Sequence, residues 1–166
     1  MEEFDLAREA MTLATSAWRR DFERNPQLQS QVHSREVESF FESLKQEAAG
    51  LRDILHPEQA LDIGADLCTV TLVEGHKRRP VALCHINSES VGRLVLQYNA
   101  GSPADLKSEA RLLRMGEDDY AWFWGGRTFS GKELARCSLA SLLKRANTVI
   151  SDRVSLNPNP LNLEDP

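Results

Sequence analysis

Near residue 60 the spacing of apolar residues changes from a helical repeat to strict alternation. A chain with that switch folds as helices first and sheet afterwards, because each periodicity puts its apolar side chains on one face of only one kind of element. Before the switch, Phe4, Ala7, Met11, Ala14, Trp18 and Phe22 recur at three and four, which predicts a helix over 3–24. Asn25-Pro26 ends it, since a residue before proline is pushed out of the helical region. The polar run 27–33 reads as a linker. A second helix is expected from about Ser34, its cap, to Leu55. Val37, Phe41, Leu44, Ala48, Leu51 and Leu55 step along it as a heptad seam. That seam serves a helical hairpin, the sheet that follows, or a homodimer paired through residues 37–55.

After the switch, 66–75, 78–86 and 91–99 alternate as three antiparallel strands. Ser102-Pro103, with Asp105 behind them, has the form of a helix start, and Leu106, Ala110 and Leu113 fit a short helix closed by Gly116. Residues 119–124 form a fourth strand, Gly125-Gly126 a two-residue hairpin turn, and 127–129 a short fifth strand. Ser130 and Glu133 make a capping box that opens a last helix. The order is α-α-β-β-β-α-β-β-α: an α+β fold with a helical pair, a mainly antiparallel sheet of four or five strands, and two further helices. By elements alone this order resembles that of small acidic secretion chaperones. Three segments follow: 1–58, an acidic helical hairpin; 59–150, the sheet domain; and 151–166, a flexible Pro- and Asn-rich tail whose Leu-Asn-Leu-Glu-Asp-Pro end has the make-up of a docking peptide.

Charge divides along the same line. Of 25 Asp and Glu and 20 Lys and Arg, net -5, residues 1–58 hold 12 acids and 7 bases, so they carry the whole excess. Generic phosphate-backbone binding is disfavoured, and an acidic surface instead steers towards a basic protein partner. The acids of the second helix, Glu36, Glu38, Glu42 and Glu47, are the expected electrostatic contacts. Tyr120, Trp122 and Trp124 alternate with Ala121 and Phe123 on the fourth strand, so large aromatics fall on both of its faces. Either helices bury both faces or one is a recognition surface, and Trp and Tyr dominate such surfaces; Arg93 and Arg127 would rim it.

A nucleic-acid alternative draws on Lys77, Arg78 and Arg79 at a hairpin tip and on Lys107, Arg111 and Arg114 along one side of the expected third helix. Helix, three strands and helix over 34–115 is also the element order of a double-stranded RNA-binding domain. That domain's second helix opens on a lysine-rich clamp, whereas this one opens on Ser-Pro-Ala-Asp.

Nothing local spells out catalysis. Cys68, Cys84 and Cys137 lack metal-ligand spacing. His33, His56, His76 and His85 share no i, i+4 pair, and His85 points away from its neighbour Cys84. Glu117-Asp118-Asp119 reads as a solvated turn or a divalent-cation site. No nucleophile-elbow, zincin or phosphate-loop pattern occurs. Neither cofactor nor metal is expected, and an enzymatic or ligand-binding pocket between sheet and helices is the remaining alternative. No run of roughly 18 apolar residues is present to span a membrane, and the acidic N-terminus is unlike a signal peptide. The expectation is a cytoplasmic, non-enzymatic protein-binding module of the inhibitor, immunity, adaptor or chaperone kind.

Overall fold

The computed structural model describes the backbone of residues 2–64, 69–88, 90–99 and 106–155, and side chains within 5–64, 69–88, 90–99 and 107–146. The switch of period marks the boundary between helix and sheet. Helices α1 (Glu2–Glu23) and α2 (Pro26–Gly50) come first, then a 3₁₀ turn (Leu51–Asp53). Seven strands follow: β1 (Gln59–Ile63), β2 (Thr69–Glu74), β3 (Arg79–Asn87), β4 (Arg93–Tyr98), β5 (Leu106–Arg114), β6 (Tyr120–Trp124) and β7 (Arg127–Phe129). Helix α3 (Gly131–Ser155) closes the order. The sheet is one antiparallel meander in which every strand lies beside its sequence neighbours.

The α+β class, the leading helical pair, the antiparallel sheet and the closing helix are as the sequence predicts. Three local expectations need correcting. The run 27–33 is helix rather than linker. Proline at its start lacks only an N–H that would be unsatisfied there anyway, and the Asn25 side chain caps the end by accepting from the Leu28 N–H (3.1 Å). The cap is therefore Asn25 and not Ser34. Residues 59–63 form an additional strand, and with residues 106–114 also in the sheet it has seven strands rather than four or five.

The third correction is the largest. Residues 106–114 are strand β5, not a helix. Their pattern reads both ways: Leu106, Ala110 and Leu113 fit three-and-four spacing, while Ser108, Ala110, Leu112 and Arg114 fit alternation. Pairing on both sides decides between them, because β4 and β6 each leave a row of backbone donors and acceptors that only another strand can satisfy. The change removes the element-order likeness both to the RNA-binding domain and to the secretion chaperones. Ser102, Pro103, Asp105, Cys68 and the tail from residue 156 lie outside the described residues.

The core lies between one face of the sheet and helices α2 and α3. Val70 and Leu72, Ala82, Cys84 and Ile86, Leu94, Leu96 and Tyr98, Ala110 and Leu112, and Trp122 alternate inwards along successive strands. They meet Leu134, Ala135, Leu139, Leu142 and Ala146 of α3, with Val32, Phe40 and Leu44 of α2. All six residues of the heptad seam belong to this cluster or pack against it, so the chain itself takes up the seam. Of the six, Leu44 is fully buried and the other five are half-buried. Gly125 and Gly126 both have positive φ (60° and 82°), as a tight hairpin between β6 and β7 requires. The Ser130 hydroxyl accepts from the Glu133 N–H (3.1 Å) and opens α3 as the capping box predicts.

Candidate protein-binding surface

Helix α1 is built in two parts. Its last turns are anchored. Phe22 is buried, with its ring 5.5 Å from that of Tyr120. The inward-facing Arg114 of β5 gathers the surrounding groups: it donates to Asp21 (2.5 Å) and to the carbonyls of Gly116 (3.1 Å) and Glu117 (2.7 Å), and its guanidinium lies 4.5 Å from the centre of the Trp18 ring. A buried cation needs such partners, because an uncompensated one costs several kcal/mol.

The first turns have no such anchor. Every residue described from Asp5 to Ala14 is exposed, including Leu6 (64%), Met11 (72%) and Leu13 (66%). At 3.6 residues per turn, Leu6, Ala7, Ala10, Met11, Leu13, Ala14, Ala17 and Trp18 fill about half the circumference. Arg8, Glu9, Thr12, Ser16 and Arg19 fill the other half. The stripe through Ala7, Met11 and Ala14 is only part of this face. The second stripe, Leu6-Ala10-Leu13-Ala17, has the same spacing and doubles the width of the apolar face. Charge is uneven along the helix: Glu2, Glu3, Asp5 and Glu9 outweigh Arg8 towards the start, whereas Arg19 and Arg20 are matched by Asp21 and Glu23 towards the end.

The four acids expected as contacts lie on α2 but not in one patch. Glu38 and Glu42, one turn apart, are exposed. Glu36 sits beside Arg35 (3.6 Å). Glu47 is held by a two-pronged contact with Arg136 of α3 (3.1 and 3.3 Å), and that guanidinium keeps its carboxyl below the usual range.

On β6 the aromatics divide by face. Trp122 is fully buried, and its indole N–H finds no acceptor among the described residues. Tyr120 and Trp124 share the inward face and are half-buried. Arg35 lies 5.4 Å over the Tyr120 ring, and the Trp124 indole donates to Ser108 (3.0 Å). Phe123 alone faces outwards, 40% exposed. Of the two expected rim residues, Arg93 pairs with Glu109 (3.2 Å) across β4 and β5, and Arg127 lies 5.7 Å over the Phe129 ring.

The six basic residues of the nucleic-acid alternative are not gathered either. Arg78 is paired with Asp62, and Arg114 is buried. Lys107 and Arg111 share the outward face of β5, the face opposite Arg114. Register sets His85, Gln97 and Lys107 in one row. At about 3.3 Å per residue, Arg79 lies about 20 Å from that row in one direction and Arg111 about 13 Å in the other.

The remaining sequence candidates are also placed. His33, nearly buried on α2, accepts the Gly92 N–H at Nδ1 (2.9 Å) and so donates from Nε2 to the Ser88 carbonyl (3.1 Å). It fastens the β3–β4 connection to α2. Cys84 and Cys137 are free thiols. Burial pushes the Cys84 thiol up to about 12 and raises its neighbour Tyr98 as well, so neither is an activated group. Asp118 contacts Arg35 (3.6 Å), and among the described residues no three His, Cys, Asp or Glu side chains converge as metal ligands. A depression of about 500 Å³ is lined by Tyr98, Ser108, Trp124 and Ser141, with Lys144 and Arg145 beside them. No described helix is long and apolar enough to cross a membrane. Comparison with protein families, curated proteins and solved structures gives no match.

Proposed function

We propose that the chain is a non-catalytic, cytoplasmic protein-binding module that holds its partner on the apolar face of α1. The observation that carries this reading is the exposure of Leu6, Met11 and Leu13 on a helix whose last turns alone are anchored. A contiguous apolar helix face left in water is a recognition surface in ordinary monomers, and helix faces of this kind bind in apolar grooves. The charge order adds a direction. The partner's groove is basic at the end that takes the acidic start of α1. Free thiols at Cys84 and Cys137 suit a reducing compartment.

The test compares the native chain with a triple variant, Leu6→Ser, Met11→Ser and Leu13→Ser, in crosslinked affinity capture from the native cell. The captured partner disappears with the variant while its circular dichroism spectrum and melting point stay as in the native chain. Capture of the same partner in the same yield by both proteins overturns the reading.

A further inference from the structure

The sheet has an open edge with a cleft beside it. β1 is one of the two outermost strands. The Gly75 N–H donates to the Glu58 carbonyl (2.9 Å) and the Gly64 N–H to the Thr69 carbonyl (2.8 Å), so residues 58 and 64 turn their backbone groups towards β2. In an antiparallel ladder this orientation alternates, so Ala60 and Asp62 do the same. Leu61 and Ile63 must then direct both N–H and C=O away from β2. The Gln59 N–H is already taken by the His56 carbonyl (2.8 Å). Among the described residues no strand lies along this edge.

Helix α2 runs alongside. Lys45, Ala48, Ala49 and Arg52 repeat at three, one and three, which places them on one side of the helix and its 3₁₀ extension. With Leu55 and β1 they line a cleft of about 410 Å³. Its walls are small and apolar at Ala48 and Ala49. Lys45 and Arg52 are exposed at the rim, and no ion pair is found for either among the described residues. The carboxylate in the lining, Asp62, is taken by Arg78. A strand edge is normally blunted by a cover or by its own charge. Here the helix flanks the edge without closing it, and the two unengaged charges are both positive in a chain whose net charge is -5.

We propose that this cleft is a strand-addition site for an extended, acidic segment of a partner protein. The segment pairs its backbone with Leu61 and Ile63, seats alternate small apolar side chains against Ala48 and Ala49, and places carboxylates on Lys45 and Arg52. The inference goes beyond the α1 surface and does not depend on it.

The experiment pans the full chain against a phage-displayed library of random dodecapeptides and titrates the most enriched peptide by fluorescence anisotropy. The expected peptides alternate apolar residues with Asp or Glu. The double variant Lys45→Glu, Arg52→Glu weakens binding about tenfold, as two partly exposed ion pairs predict. Ala49→Trp, an exposed position on the cleft wall, abolishes binding by filling the cleft. Bound peptide also slows hydrogen exchange at the Leu61 and Ile63 amides. The Leu6, Met11 and Leu13 triple variant binds the peptide as the native chain does, which separates this site from the α1 surface. Failure to enrich any peptide, neutral or basic selected peptides, undiminished binding to Ala49→Trp, or unchanged exchange at both amides overturns the proposal.

Discussion

Helices α1 and α2 are of similar length, 22 and 25 residues, and each carries an apolar stripe at helical spacing, yet they have opposite fates. The stripe of α2 is taken into the core beneath α3. That of α1 is taken in only at Trp18 and Phe22, and the turns before them face water. Periodicity reports that a face needs a cover. It does not report whether the cover lies in the same chain. Here α2 is clamped from several sides: Phe40 and Leu44 in the core, Glu47 on Arg136, and His33 on the β3–β4 connection. Helix α1 is held at one end, by a single buried arginine and two rings.

The most severe way to break this comparison is to truncate the covered helix. Phe40→Ala removes a fully buried ring and is expected to cost about 3–5 kcal/mol in urea denaturation. A loss below about 1 kcal/mol would mean that α2 is no more part of the core than α1.

Next comes the root of α1. Arg114→Ala leaves the Gly116 and Glu117 carbonyls without their donor and Asp21 without its cation, for a loss of about 1–3 kcal/mol. Amide exchange should quicken in the last turns of α1 and stay unchanged in α2. Equal loosening of both helices would show that they are one cooperative unit.

The covered side also has a pH signature. Burial holds the Cys84 thiol neutral up to about 12, whereas in the unfolded chain it ionises near its ordinary 9.0. Between those values the unfolded state binds fewer protons than the folded one, so stability falls as pH rises from about 9 to about 12. Tyr98, raised for the same reason, acts with the same sign. Denaturation curves across this range should show the decline, and Cys84→Ala should flatten its lower part. Leu13→Ser should leave it untouched, because α1 covers neither group. A level alkaline limb in the native chain would contradict the buried placement of Cys84.

The smallest effect belongs to the uncovered stripe itself. Leu13→Ser alone is expected to change stability by no more than about 0.5 kcal/mol, since the residue is already 66% exposed. A loss of several kcal/mol would show that something covers α1 after all.

These contrasts follow the limits of what could be read in advance. Strong local signals held: the break at Asn25-Pro26, the Gly125-Gly126 hairpin, the Ser130 cap and the alternation along β3 and β4. Residues 106–114 misled because Ala110 and its neighbours satisfy two periods at once, and only the open rows of β4 and β6 choose between them. The linker at 27–33 misled because Val32 and His33 look sparse in a polar run, although both are buried. The site was less legible than the fold. Trp122 looked like a contact residue and is the most enclosed large side chain of the sheet. Leu6 and Leu13, outside the stripe through Ala7, Met11 and Ala14, are large apolar groups left to water.

By itself the sequence determined most of the elements: two helices, then alternating strands on either side of the ambiguous stretch 106–114, then a capped helix, with the acidic excess in the first third. These are local properties, set by how side chains repeat along a backbone of fixed geometry. Only the tertiary structure decided which faces are spent. Burial is a competition between surfaces distant in the chain, and α3 covers α2 and the inner sheet without reaching the start of α1 or the edge of β1. Those two uncovered places, one a helix face and one a strand edge, are the surfaces proposed to bind partners.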